Sequence, residues 1–310
     1  MGRTKIEWCD DTHLVPKVWN VTRGCSPVSR GCRGCYAMYQ AIRQAKPGQP
    51  YHGLVKSTVD GPRWTGKVAF DFTKLDEPYR WKKPCRVFVD SMSDLFHESL
   101  PMETILKIFT VMQATPRHTY MVLTKRPERM LDFCIKYGLW GSGEKWPANV
   151  WPGVSVEDKA TLGRVDGLME APQAVKFVSY EPALEGLDFE PYLKRGLDMI
   201  IVGGESGKDA RPFDITWARS VIRQCAKYGA AAFVKQLGAI AFEGDSHHSH
   251  LAGHRGYSVV CDEGEPCPYC GRQRMQWLTL NLRHKKGGGD MSDWPEDLRV
   301  REFPKAEVTV

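Results

Sequence analysis

Short β-rich runs, most of them continuously apolar, recur along this chain, separated by stretches with helical spacing. The runs are 68–72, 86–90, 120–124, 150–155, 175–179, 199–203 and 231–235. A strand with one wet face alternates polar and apolar residues, whereas a continuous run suits a parallel strand covered on both faces. Residues 101–113 place Ile105, Ile108, Phe109 and Met112 at helical spacing. A second helix is expected after Asp214, a good N-cap. It runs through Trp217, Val221, Ile222 and Cys225 to Gly229, a good C-terminal stop. Strand–helix alternation implies right-handed β-α-β units. An eighth short run, 14–19, precedes the others. The expected class is therefore α/β, a (β/α)8 TIM-type barrel, whole or partial, for which ~250 residues is typical. The expected organisation is a barrel over 1–240, a Cys/His insertion or metal subdomain over 241–277, and a C-terminal extension over 278–310 packing on the barrel.

Hydrophobic residues make up 42% of the 310, enough for a sizeable core. No run of 18 apolar residues occurs, so no membrane partner is expected. The start lacks an apolar signal-peptide core, so the expected localisation is cytoplasmic. There are ten cysteines. A reducing compartment argues against a disulfide framework and favours metal ligands for the clustered ones. The net charge of +6 suits a nucleic acid or phosphorylated substrate, and equally an ordinary basic surface.

The strand exits are more polar than core packing requires. They read Asp90-Ser91-Met92-Ser93-Asp94, Thr124-Lys125-Arg126, Ser155-Val156-Glu157-Asp158, Ser179-Tyr180-Glu181-Pro182, Gly203-Gly204-Glu205-Ser206-Gly207 and Lys235-Gln236. A parallel barrel brings all these ends to one mouth, where active sites sit.

Near the N-terminus Cys25, Cys32 and Cys35 are spaced C-x6-C-x2-C, with Gly24, Gly31 and Gly34 between and beside them. Such a loop can turn three thiolates toward one point. Three thiolates leave a tetrahedral zinc site one ligand short, and Cys9 or His13 are candidates to complete it. An iron–sulfur cluster on three cysteines instead keeps one iron open.

A three-cysteine loop after a first strand, opening a helix and preceding a βα barrel, resembles the radical S-adenosylmethionine enzymes. The wording around the triplet, Trp19-Asn20 through Gly24-Cys25 to Cys35-Tyr36-Ala37, is similar to a phage- and prophage-associated three-cysteine family. So are Asp90 to His97, Ser179-Tyr180-Glu181-Pro182, Val202 to Gly207 and Trp294 to Pro304. The resemblance implies that Cys25, Cys32 and Cys35 bind a [4Fe-4S] cluster. It further implies that S-adenosylmethionine chelates the open iron and yields a 5′-deoxyadenosyl radical. The first gap is six residues where the common superfamily spacing is three. The Gly203-Gly204-Glu205 segment also follows a late strand, where the family's Gly-Gly-Glu follows an early one.

Within that frame Tyr36, Asp90, Ser91, Asp94, Gly203, Gly204 and Glu205 are candidate cofactor contacts. Helix capping is the bland alternative for the Asp90 to Asp94 stretch, and a Gly-rich turn for Gly203 to Glu205. Tyr180, Glu181 and Lys125 are candidate catalytic residues. Lys125 and Arg126 meet a substrate carboxylate or phosphate, or else pair with Glu157, Asp158 or Glu181 across the mouth.

A second group, Cys261, Cys267 and Cys270, has the spacing of a metal knuckle. With a histidine from His247, His248, His250, His254 or His284 it suits zinc or an auxiliary iron–sulfur cluster, since thiolates serve both. Cys85, Cys134 and Cys225 read as structural. The expected function is a radical S-adenosylmethionine enzyme acting on a nucleotide or a nucleic-acid base, in phage DNA hypermodification, rearrangement or repair. Its expected partner is an electron donor such as a flavodoxin or ferredoxin. The rival readings are a zinc-stabilised nucleic-acid-binding protein and a non-catalytic iron–sulfur redox partner.

Overall fold

The structure is a computed structural model describing residues 4, 6–9, 14–139, 146–172, 174–207, 209–243, 278–279 and 289–304. Seven parallel strands form one sheet in sequential order: β1 (Val15–Trp19), β2 (Cys85–Val89), β3 (Thr119–Thr124), β4 (Val150–Ser155), β5 (Phe177–Tyr180), β6 (Met199–Gly203) and β7 (Ala231–Gln236). Helix α1 (Tyr36–Ile42) follows the cysteine loop. Helices α2 (Met102–Gln113), α3 (Pro127–Lys136), α4 (Arg164–Glu170), α5 (Glu190–Leu193) and α6 (Ile215–Tyr228) cross between successive strands from β2 to β7. Every residue of β2, β4 and β6 is buried, as continuous apolar runs require. The expected caps form: Asp214 accepts from the Thr216 amide at 2.9 Å, and Gly229 ends α6 at φ 71°.

The sheet curls into a partial TIM-type barrel. Among the described residues β1 and β7 do not pair, so the ring is open. One expected strand is corrected. Of the run 68–72 only Ala69–Phe70 is extended, and it pairs antiparallel with Thr22–Arg23 beneath the cysteine loop. Asp71 then caps a short turn through the Thr73 amide at 3.1 Å, which ends the strand.

Two apolar layers hold the barrel. The larger lies between strands and helices, with Trp19, Tyr120, Phe133 and Tyr180 fully buried in it. The smaller fills the interior with Phe88, Met121, Trp151, Phe177, Ile201 and Phe233. The open seam is closed from inside by the turn Glu7–Cys9, which packs against β1, β2 and β7. Trp8 of that turn meets Phe88 with ring centroids 4.4 Å apart. The segment 300–302 runs antiparallel along β7, with the Val234 amide donating to the Val300 carbonyl at 2.8 Å.

Gly153 and Phe177 are register partners, and a Cβ on Gly153 would collide with the Phe177 ring. Phe177 thus occupies the space that glycine leaves. Overpacking such a site costs ~1–3 kcal/mol. Gly153→Ala should lose about that much in urea unfolding, and less in a Phe177→Leu background, because the pair is coupled.

Candidate active site

The cysteine loop lies across the C-terminal mouth, and a different strand exit grips it beside each cysteine. Next to Cys25, the Ser26 carbonyl and hydroxyl accept from Arg126 Nη2 at 3.1 and 2.8 Å. Arg126 is itself oriented by Asp94 at 2.8 Å and Glu98 at 2.7 Å. His97 Nδ1 accepts from the Ser99 amide, so Nε2 carries the proton and donates to the Ser26 hydroxyl at 2.9 Å. That hydroxyl donates onward to Glu98 at 2.8 Å.

Next to Cys32, the Ser29 hydroxyl donates to Glu157 at 3.0 Å. Glu157 is fully buried and pairs with Lys125 and, at 3.0 Å, with Arg164. Next to Cys35, Gly34 faces Glu205, which Arg211 holds by two parallel bonds of 2.8 Å and its own amide at 3.0 Å. Arg211 also donates to the Arg30 carbonyl at 3.2 Å. A Cβ on Gly31 would collide with Glu157, and one on Gly34 with Glu205. These two glycines therefore serve close approach of loop and carboxylate. Gly24, at φ 87°, presses against the Lys67 carbonyl in the same way.

All three thiols line one cavity of about 570 Å³ at the mouth. Burial, with Asp94 nearby, pushes the Cys25 thiol up to about 12 against the pull of Arg126. Burial also raises Cys35, opposed by the Ala37 and Met38 amides. Cys32 differs: against the burial that would raise it, Lys125 and the amides of Val28 and Ser29 hold it below the ordinary thiol range. Burial brings the Lys125 amine down to about 8, opposed by Cys32. Among the described residues, no three His, Cys, Asp or Glu side chains are gathered around a single metal position.

The rest of the lining is polar at Asp90, Ser91, Ser179, Glu181, Lys235 and Gln236, and apolar at Trp8, Phe88 and Leu123. Asp90 sits at φ 57°, a left-handed conformation that costs a non-glycine residue ~1–2 kcal/mol. Its carboxylate accepts from the Thr22 amide and hydroxyl, both at 2.8 Å. Burial pushes it up to about 7 despite those bonds. Ser91 donates to Asn20 at 3.0 Å, and its carbonyl accepts from the Tyr36 hydroxyl at 2.7 Å. Glu181 accepts from Ser179 at 3.1 Å and pairs with Lys235 at 3.0 Å. Burial alone would lower Lys235, and Glu181 outweighs it, holding the amine above its ordinary range.

Several sequence expectations change on this geometry. Tyr180 points away from the cavity into the helix-side core, where its hydroxyl donates to the Glu185 carbonyl. Its strand neighbours Ser179 and Glu181 face the cavity, so the alternation of β5 excludes it. The Asp94 carboxylate is taken by Thr124, Arg126 and the amides of Phe96 and Lys125, and Glu205 is taken by Arg211. Both orient the loop. Lys125 pairs with Glu157, the bland alternative, whereas Arg126 pairs with Asp94 and Glu98. Gly203 packs close to Glu181 and Gln236, and Gly204 is wedged against Phe213 and the Leu237 carbonyl. Cys9 lies in the barrel interior, its thiol pushed up to about 12 by burial, and does not line the cavity. Cys85, Cys134 and Cys225 are buried in the helix-side core. His13, Cys261, Cys267, Cys270 and the histidines near them lie outside the described residues. Sequence reasoning missed Arg211, Thr22, Ser26 and Trp8. Nothing in local spacing ties Arg211 to a loop 181 positions earlier.

Glu157→Gln removes a buried charge from beneath two cations. Such a break costs ~3–5 kcal/mol. The variant should unfold at lower urea, and iodoacetamide should alkylate Cys32 at a changed rate while Cys134 is unaffected. A second prediction concerns pH. The folded chain keeps a proton on Asp90 that the unfolded chain releases, so this group's contribution to stability falls as pH rises from about 4 to about 7. From pH 5 to pH 8, Asp90→Asn should therefore gain roughly 2–3 kcal/mol relative to wild type, read from urea midpoints.

Among solved structures, spore photoproduct lyase complexed with dinucleoside spore photoproduct is similar at 11% identity and a TM-score of 0.37, covering 68% of this chain and 61% of that one. A mutant of that lyase with bound AdoMet and dinucleoside spore photoproduct is similar at 13% identity and a TM-score of 0.35, again covering 68% and 61%. This chain thus spans about three fifths of the length of the lyase chains it matches. No curated protein matches it. A family model described as "Protein of unknown function (DUF5131)" matches residues 3–288, nearly the whole chain, and the chain belongs to that family.

Proposed function

We propose that this chain is a radical S-adenosylmethionine enzyme whose Cys25, Cys32 and Cys35 hold a [4Fe-4S] cluster, and whose substrate carries a nucleobase. The observation that carries this reading is the set of three thiols lining one cavity, in a loop that strand exits hold at Ser26, Ser29 and Arg30 and approach closely at Gly34. The donor set fits. Three soft thiolates suit an iron–sulfur cluster, while closed structural zinc takes four ligands. The cavity volume of about 570 Å³ falls in the range of small-molecule sites, ~300–1,000 Å³.

When bound, the cluster supplies one electron, delivered by a flavodoxin- or ferredoxin-type donor, to cleave the sulfonium of S-adenosylmethionine and provide a hydrogen-abstracting radical. The chain's own residues prepare the site for this. Lys125 and the Val28 amide stabilise the Cys32 thiolate, which makes it the first metal ligand to ionise. Trp8, Phe88 and Leu123 give the cavity apolar lining that disfavours water. Glu181 and Lys235 offer an acceptor and a donor side by side, a pairing suited to an amino-acid end or the edge of a base.

The test is anaerobic reconstitution. Wild type should bind iron and sulfide with a cluster EPR signal, release 5′-deoxyadenosine from S-adenosylmethionine under dithionite, and lose iron in Cys32→Ala. Equal iron in that variant, or zinc alone in the native protein, would show the cluster assignment to be wrong. Zinc alone would favour the nucleic-acid-binding rival.

A further inference from the structure

The positive charge of this chain is gathered in one segment. Residues 23–67 contain eight Lys or Arg and a single acid, Asp60, a formal +7 against +6 for all 310 residues. This segment holds the cysteine loop, α1 and an antiparallel hairpin of Val55–Thr58 with Gly61–Trp64. Arg33, Arg43, Lys46, Lys56 and Lys67 are exposed and Arg63 half-buried, and among the described residues no carboxylate pairs with any of the six. Lys56 and Arg63 are direct cross-strand partners in the hairpin. Like charges placed so are destabilising. The hairpin's other face carries buried Val55 and Trp64, so the two cations stand on its outer face.

Aromatic residues lie among these charges. The exposed positions of α1 are Tyr36, Tyr39 and Gln40, and with Arg43 at its C-cap they make the i, i+3, i+4, i+7 stripe of one helix face. Tyr36 and Trp64 both line the cavity. The basic surface therefore starts at the cavity lip and leads away from it. Unpaired cations interleaved with exposed rings are what a single strand of nucleic acid requires, phosphates on the cations and unstacked bases on the rings.

We infer that this lip binds single-stranded nucleic acid and leads one base to the cavity, so that the substrate is a polymer and not a free nucleotide. The inference rests on the proposed reaction only for the strand's destination; binding along the lip is independent of it.

Fluorescence anisotropy tests it, using the full chain with its iron content measured and a labelled 15-nucleotide single-stranded DNA in 50–200 mM salt. With ~0.7 released ions per phosphate, six contacts give a log–log slope of about 4. Lys56→Glu with Arg63→Glu should weaken binding at least tenfold and lower the slope by about one. Tyr39→Ala should weaken binding about tenfold with the slope unchanged, as a lost stacking platform does. Lys82→Glu with Lys83→Glu makes the same charge change just before β2, at the opposite end of the barrel, and should leave affinity unchanged. The inference is overturned if wild type does not bind, if both charge-reversal pairs weaken binding equally, or if phosphatidylserine vesicles bind and the oligonucleotide does not. Iron lost with binding intact would instead sink the proposed reaction and leave the lip standing.

Discussion

Beside each cysteine of the loop, a carboxylate at a strand exit is the fixed point: Asp94 through Arg126 at Ser26, Glu157 at Ser29 and Gly31, and Glu205 at Gly34. Taking such charges out of water is expensive, and each is balanced by Arg or Lys at close range. A carboxylate so held accepts hydrogen bonds in fixed directions. The loop, which has little regular structure of its own, inherits its shape from them. Gly31 and Gly34 complete the arrangement because only a residue without a side chain lets the loop backbone come this near the carboxylates.

This anchoring divides the mouth in two. The exits of β2, β3, β4 and β6 are largely engaged in holding the loop. The exits of β5 and β7 carry Ser179, Glu181, Lys235 and Gln236, whose bonds are made to one another and to the Gly204 carbonyl. These residues line the same cavity as the thiols, and so does Trp8 from the N-terminal turn. The same turn closes the open seam between β1 and β7. The segment that finishes the barrel thus also walls the site.

Much of the barrel was legible in the chain because burial on both faces leaves a local record. Most of the runs that became barrel strands are continuously apolar or nearly so, and the ends of α6 are announced by Asp214 and Gly229. The run 68–72 carries the same record and still is not a barrel strand, since Asp71 and the pairing with Thr22–Arg23 claim it. The site was legible as a collection of residue types at strand ends, and less so as roles. Tyr180 shares its motif with Glu181, yet one step along a strand turns it to the opposite face.

The amino-acid sequence alone determined the α/β class, the alternation of strands with helices, and the clustering of three cysteines with their glycines, because each depends on neighbours within a few residues. Which polar side chains remain open to a ligand was decided only by the tertiary structure. Arg211 reaches back to Arg30, Glu157 to Ser29 and Asp90 to Thr22, over separations of 181, 128 and 68 residues. A charge's role depends on the partner that desolvation forces upon it, and in this chain folding brings those partners together from distant positions.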